Sequence, residues 1–295
     1  MHKLKTDIRM FYIDRPVYAF FLKKKIDRIG GRMPKRLTTF LIGLLMLFAV
    51  NSFAQDADLS PLPDVASPNK LVDFPTAGTL ARASFNVELD AFSEGGILSF
   101  INIGLHDRFT LGISYGGVGI LGDDEPDWHK RPEYKVKLRL IDENVSFPGI
   151  AIGFESQGSG LYDDDLDRYQ FKAPGFYLVV SKGYRAYNWV SGIHAGINMN
   201  PIEDDKDKDD DPSFFGGFDV TFNNNLSLVG EYQAALNDNS DDSQYAKGRG
   251  YLNMGFLWTF SDRLQLGAIF KDLLNNSRVT NSIIRELRIT YTERF

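Results

Sequence analysis

From about residue 80 to the C-terminus the sequence alternates bulky apolar and polar side chains with a period of two, and it does so in twelve separate runs. In "SFNVELDAF" the residues Phe85, Val87, Leu89 and Ala91 fall on one face of an extended chain, and Ser84, Asn86, Glu88 and Asp90 on the other. The same test succeeds at Phe109, Leu111, Ile113 and Tyr115 against Arg108, Thr110, Gly112 and Ser114. It succeeds again at Tyr134, Val136, Leu138 and Leu140 against Glu133, Lys135, Lys137 and Arg139. A sheet with one wholly apolar face has two options: to pack that face on another layer, or to dissolve it in lipid. Lipid offers no water to unpaired edge groups, so a sheet that chooses lipid must close into a cylinder.

The spacing predicts strands near 80–92, 95–105, 108–117, 133–142, 148–157, 174–184, 187–199, 213–222, 225–236, 247–260, 263–273 and 283–295. The connections sort by length. Turns such as "HDR", "YRAY", "FNNN" and "FSDR" alternate with loops such as "VGILGDDEPDWHKR", "NPIEDDKDKDDDP" and "NDNSDDSQYAK", the pattern of a barrel with short turns at one rim and long loops at the other. A repeated hairpin unit agrees: "FINIGLHDRFTLGISYGG", "FDVTFNNNLSLVGEYQAA" and "FLWTFSDRLQLGAIFKDL" share one phase. The expected fold is therefore all-β: a transmembrane antiparallel up-and-down β-barrel of 12 strands over residues 79–295.

The N-terminal part reads differently. Residues 35–54, "KRLTTFLIGLLMLFAVNSFA", have a basic start, an apolar core from Phe40 to Val50, and small residues at Ser52 and Ala54. The core is too short to cross a ~30 Å bilayer as a helix, so an export signal cleaved after Ala54 is expected. Residues 1–32 would be an N-terminal extension, with Met33 a second candidate start. Residues 55–78, rich in proline, read as a periplasmic linker. Both barrel ends would then lie on the periplasmic side of an outer membrane. The chain contains no cysteine, which excludes disulfides, thiolate metal sites and cysteine nucleophiles. A formal charge of −6 argues against a general nucleic-acid partner.

The last strand carries Leu287, Ile289 and Tyr291 on the lipid face and ends on Phe295. This resembles the C-terminal signal by which the barrel assembly machinery recognises bacterial outer-membrane substrates. Glu293 departs from it, standing where an aromatic or aliphatic residue is usual. Expected partners are thus outer-membrane lipid and the assembly machinery.

The inward face would hold the chemistry. Its lumen-lining candidates are Glu88, Asp90, Arg108, Lys135, Lys137, Arg139, Glu155, His194, Glu231, Glu286 and Arg288, with Asp219, Gln233 and Lys271. Twelve strands lie between barrels filled by their own side chains and those with an aqueous channel. The row Lys135, Lys137, Arg139 would attract an anionic solute in an open lumen. In a filled one it would pair with Glu88, Glu155 or Glu286, since confined unpaired charge is costly. His194 lacks a serine and acid identifiable from sequence and reads as a hydrogen-bonding lumen residue. The acidic loop Asp204–Asp211 fails the EF-hand pattern because residue 210 is Asp and residue 216 Gly. No metal, cofactor or catalytic residue is expected.

The segment "FPTAGTLARASFNVELDAFSEGGILSFINIGLHDRFTLGISYGG", with "RPEYKVKLRLIDE" and "GIAIGFESQG", resembles the YjbH-type group of bacterial outer-membrane barrels over most of residues 72–295. That resemblance implies a role in exopolysaccharide production, in glycan export or envelope assembly. Together with the inward charges, the first expectation is a narrow channel or accessory barrel for passage of an anionic or polysaccharide solute, and the alternative a non-conducting structural or partner-docking barrel.

Overall fold

The computed structural model describes residues 68–295, apart from 124, 187–188, 204–208, 210 and 240–242. The expected export signal and most of the expected linker lie outside the described residues. The strands are β1 (Ser84–Phe92), β2 (Gly96–His106), β3 (Phe109–Val118), β4 (Asp127–Trp128), β5 (Glu133–Ile141), β6 (Gly149–Glu155), β7 (Ser159–Asp163) and β8 (Arg168–Phe171), followed by β9 (Gly175–Ala186), β10 (Trp189–Met199), β11 (Ser213–Phe222), β12 (Leu226–Gln233), β13 (Tyr251–Thr259), β14 (Leu264–Lys271) and β15 (Ile284–Arg294). Twelve of them form the wall. Each wall strand pairs antiparallel with its neighbours in the chain, and β15 returns to β1 from Ser84↔Arg294 to Ala91↔Leu287. The cylinder is closed, with no free edge. The strand β4 extends β3 at the long-loop rim, and β7 and β8 form a separate hairpin within the loop between β6 and β9.

Register follows the alternation. Asp90 lies opposite Arg288 and Lys135 opposite Glu155 on the inward face, while Val87 and Tyr291 meet on the outer one. A slip by one residue would turn every ion pair into lipid, so the pairing is strongly specified. The tight turn between β11 and β12 places Asn223 and Asn224 at φ 48° and 61°, left-handed geometry that asparagine tolerates better than most residues.

Outward residues such as Leu89, Ile101, Ile113, Leu138, Ile193, Phe256 and Leu287 are exposed. So continuous an apolar surface is far beyond what a water-soluble monomer shows. Aromatic pairs mark its two borders: Trp189 with Phe222 and Trp258 with Phe260 near the short turns, Tyr115 stacked on Trp128 near the long loops. An apolar band between aromatic girdles is the exterior of a membrane-spanning barrel. No described helix is long and apolar enough to cross a membrane.

One expectation is corrected inside the barrel. Residues 68–78 are not linker: with Thr79 and Leu80 they form a folded plug in the lumen. Leu71, Val72, Phe74, Ala77 and Leu80 are buried, as are Thr76 and Thr79. A bridge between Lys70 and Pro75 and a bond from Leu71 N to Phe74 O (3.0 Å) turn the chain back on itself, with Val72–Phe74 at the tip. Phe74 packs at 4.6 Å on Phe215, and Leu71 and Val72 join Val229, Leu257 and Ile269 of the wall. Gly217 makes room, since a Cβ there would sit 2.5 Å from Leu71 Cδ1. These apolar plug residues, flanked by prolines, have no periodicity, yet burial of each large side chain is worth about 1.5–3 kcal/mol.

Candidate functional site

The lumen is built around the plug, and the wall holds it by its main chain. Glu231 on β12 accepts from three consecutive amides at the tip, Val72 N (3.1 Å), Asp73 N (3.0 Å) and Phe74 N (2.8 Å), while its other oxygen accepts from Asn253 Nδ2 (3.1 Å). Lys137 on β5 donates to three plug carbonyls, those of Asn69 (2.5 Å), Thr76 (3.1 Å) and Gly78 (2.8 Å). Arg288 donates to Val72 O (2.9 Å). One buried anion therefore takes three N–H groups at the plug's tip, and two cations take four of its C=O groups. A folded-back segment without a sheet partner would otherwise leave these groups unpaired, at about 1–3 kcal/mol each.

Side-chain pairs complete the seal. Lys70 of the plug meets Glu88 (2.5 Å), and Asp73 of the plug meets Lys271 (2.8 Å). Glu286 bridges Lys271 (2.7 Å) and Arg288 (2.8 Å), and Arg288 also binds Asp90 (2.8 Å). Lys135 pairs with Glu155 (2.8 Å). The row of cations is thus engaged along its length, Lys135 by a carboxylate and Lys137 by carbonyls.

Two residues stand apart from the expected lining. Arg108 lies at the short-turn rim, half-exposed and paired with Asp142, because it follows the strand end rather than continuing it. Arg139 also sits at that rim, bonded to Asp142 (2.9 Å) and to Asp107 O (2.8 Å). Glu88, Asp90, Lys135, Lys137, Glu155, His194, Glu231, Glu286 and Arg288 are all buried inside the wall.

His194 has neighbours that sequence could not supply. Its Nε2 meets Asp219 Oδ1 at 2.7 Å and its Nδ1 meets Ser181 Oγ at 2.8 Å, from strands β11 and β9 on either side. Ser181 Oγ in turn accepts from Ala77 N of the plug (2.8 Å). The serine is buried and its oxygen engaged, so this relay acts as a further anchor for the plug. Lys70, Asp73 and Ser181 escaped the sequence reading; the one available signal was the "PTAG" stretch, Pro75–Gly78.

A second closure lies at the long-loop rim. Arg168 at the start of β8 is buried and binds Asp238 through two nitrogens, both at 3.1 Å, beneath the ring of Tyr245 at 4.4 Å. Glu203 ties the loops together, accepting from Tyr169 N (3.2 Å), Ala173 N (2.9 Å) and Asn200 Nδ2 (2.8 Å). Burial pushes its carboxyl up to about 8. The acidic run considered for a divalent cation falls largely on residues outside the described set. Among the described residues no carboxylate or histidine cluster could hold a metal ion.

Between the plug and the short-turn rim remains a vestibule of ≈330 Å³, lined by Asn69, Asn86, Thr221, Ser227, Thr259, Gln265 and their neighbours. On the plug's far side, cavities of ≈30 and ≈40 Å³ leave room for a few waters.

Three solved structures are similar in outline. A KdgM porin has 12% identity, 72% of this chain and 99% of that chain covered, and a TM-score of 0.42. The Acinetobacter baumannii outer membrane protein Omp33 has 9% identity, 72% and 97% covered, and 0.42. An outer membrane channel from Pseudomonas putida F1 has 13% identity, 77% and 99% covered, and 0.41. No curated protein matches the chain. The family model described as "Exopolysaccharide biosynthesis protein YbjH" matches residues 70–272, beginning within the plug and running through β14. With that match over most of the closed barrel, the chain belongs to the YjbH family of exopolysaccharide biosynthesis proteins.

Proposed function

We propose that this protein is a non-conducting outer-membrane barrel that serves exopolysaccharide production as an accessory or docking component, its lumen closed by its own residues 68–80. The observation that carries this reading is the engagement of Glu231 and Lys137 with six main-chain groups of the plug. A narrow channel for anionic solutes would need unpaired cations facing open water. Here Lys135 is matched by Glu155, and Lys137 by carbonyls. The apolar band and the sorted connections support residence in the outer membrane with the short-turn rim on the periplasmic side. No catalytic step is assigned to it.

Conductance of the purified full chain in planar bilayers tests the proposal. The wild type should be silent, and a variant lacking residues 69–78 should show open steps. Stable open steps from the wild type at rest would overturn it.

A further inference from the structure

We infer that the vestibule beneath the plug is a binding site for the end of an uncharged, hydroxyl-rich glycan chain. The proposal deepens the reading above, because it names what an accessory barrel in exopolysaccharide production would hold at its short-turn side.

Three features of the vestibule point to this ligand class. The first is volume: ≈330 Å³ lies at the lower end of the ~300–1,000 Å³ usual for small-molecule sites, and the plug makes the cavity blind. A blind cavity accepts a chain end and cannot thread a chain through.

The second is charge. Every ionised group on the lining already has a partner: Glu88 has Lys70 (2.5 Å), Arg288 has Asp90 (2.8 Å), Asp219 has His194 (2.7 Å), and Glu143 has Gly183 N (2.6 Å) and Lys182 (3.6 Å). An anionic sugar would find no spare cation, and a cationic one no spare carboxylate. Desolvating a charged ligand here would go uncompensated.

The third is the remaining polar chemistry. The wall strands present Asn86, Thr221, Ser227, Thr259, Gln265 and Thr290 to the cavity, neutral groups that both donate and accept. Some pair with each other, as Thr221 with Ser227 at 2.8 Å and Gln265 with Thr259 at 3.2 Å, which fixes their orientation and leaves lone pairs and protons for a ligand. Val229, Leu257 and Leu71 supply apolar surface at the same cavity, suited to the C–H faces of a sugar ring. Neutral alternating donors and acceptors beside apolar patches match a ring that carries hydroxyls on its edge and C–H groups on its faces.

The test is calorimetric titration of the full chain in a detergent without a sugar headgroup, using maltotriose and cellotriose as neutral probes and trigalacturonate as the charged one. The variants are Thr221→Val and Gln265→Met, near-isosteric changes whose retained fold is checked by heat-dependent gel migration. Saturable binding of a neutral probe, weakened about tenfold by each variant and absent for trigalacturonate, is expected from the loss of one or two hydrogen bonds. Absence of binding by both neutral probes, preference for trigalacturonate, or unchanged binding in both folded variants would overturn the inference. A silent bilayer trace with no sugar binding removes this inference alone, whereas open steps from the wild type remove the non-conducting reading and the blind cavity with it.

Discussion

The barrel is closed twice, and the two closures are made of different chemistry. The plug, residues 68–80, is gripped through its main chain by charged side chains of the wall: Glu231 takes amides, Lys137 and Arg288 take carbonyls. The cap at the long-loop rim is held by loop side chains reaching each other, above all Arg168 with Asp238 and Glu203 with the backbone of β8 and the residues after it. The grip on the plug comes from the wall, and the plug's own Lys70, Asp73 and buried apolar side chains reinforce it. The cap depends on particular loop residues, with Tyr251 of β13 and Glu133 of β5 as wall contacts. Changes at the plug contacts should therefore be read in conductance and whole-barrel stability, and changes at the cap in local loop order.

The sharpest break in this comparison is Arg168→Met. It leaves Asp238 buried without its guanidinium, which should cost about 3–5 kcal/mol of cap stability. Limited proteolysis should cut within residues 159–171 while the planar-bilayer trace stays silent; conductance in this variant would show that the closures are not separable.

Next in size is Lys137→Met, which leaves three plug carbonyls without their charged donor. A loss of about 3 kcal/mol is expected in denaturant unfolding in micelles, together with flickering conductance and no new loop cleavage. A stability equal to the wild type would mean that Lys137 adds nothing to the hold on the plug.

The cap should also respond to pH. The carboxyl of Glu203 is raised from the ordinary 4.5 to about 8 by burial, so the folded cap favours its neutral form. That contribution is fully present below about pH 4.5 and is lost as pH rises through about 8. Proteolysis of the loops should be slow at pH 5 and faster at pH 9, and Glu203→Gln should flatten the difference.

The smallest effect is expected at Ser181→Ala. Ala77 N and His194 each lose one partner, for about 1 kcal/mol in unfolding free energy. No change at all would mean that the serine anchors neither the plug nor His194.

Much of the wall was legible in the sequence because strand identity, facing and connection length are local properties. The run Leu252, Met254, Phe256, Trp258 against Asn253, Gly255, Leu257, Thr259 declares its two faces within a few residues, and β13 (Tyr251–Thr259) displays them. Inward Lys135 and Glu155, assigned to the lumen by parity, meet across neighbouring strands. Arg108 misled because parity says nothing about where a strand stops. The β7–β8 hairpin was hidden in a stretch, "SGLYDDDLDRYQF", whose polarity resembles that of any exposed loop.

By itself, then, the sequence determined a closed sheet, its apolar exterior and its charged interior, since a period of two acts on each strand separately. The tertiary structure alone decided what fills the cylinder. Segment 68–80 has no periodicity, and its partners Lys137, Glu231 and Arg288 lie far along the chain, 216 residues away for Val72 and Arg288. Only closure of the barrel brings those charges to one place, where each becomes costly unless something satisfies it, and the chain's own main chain is what does so.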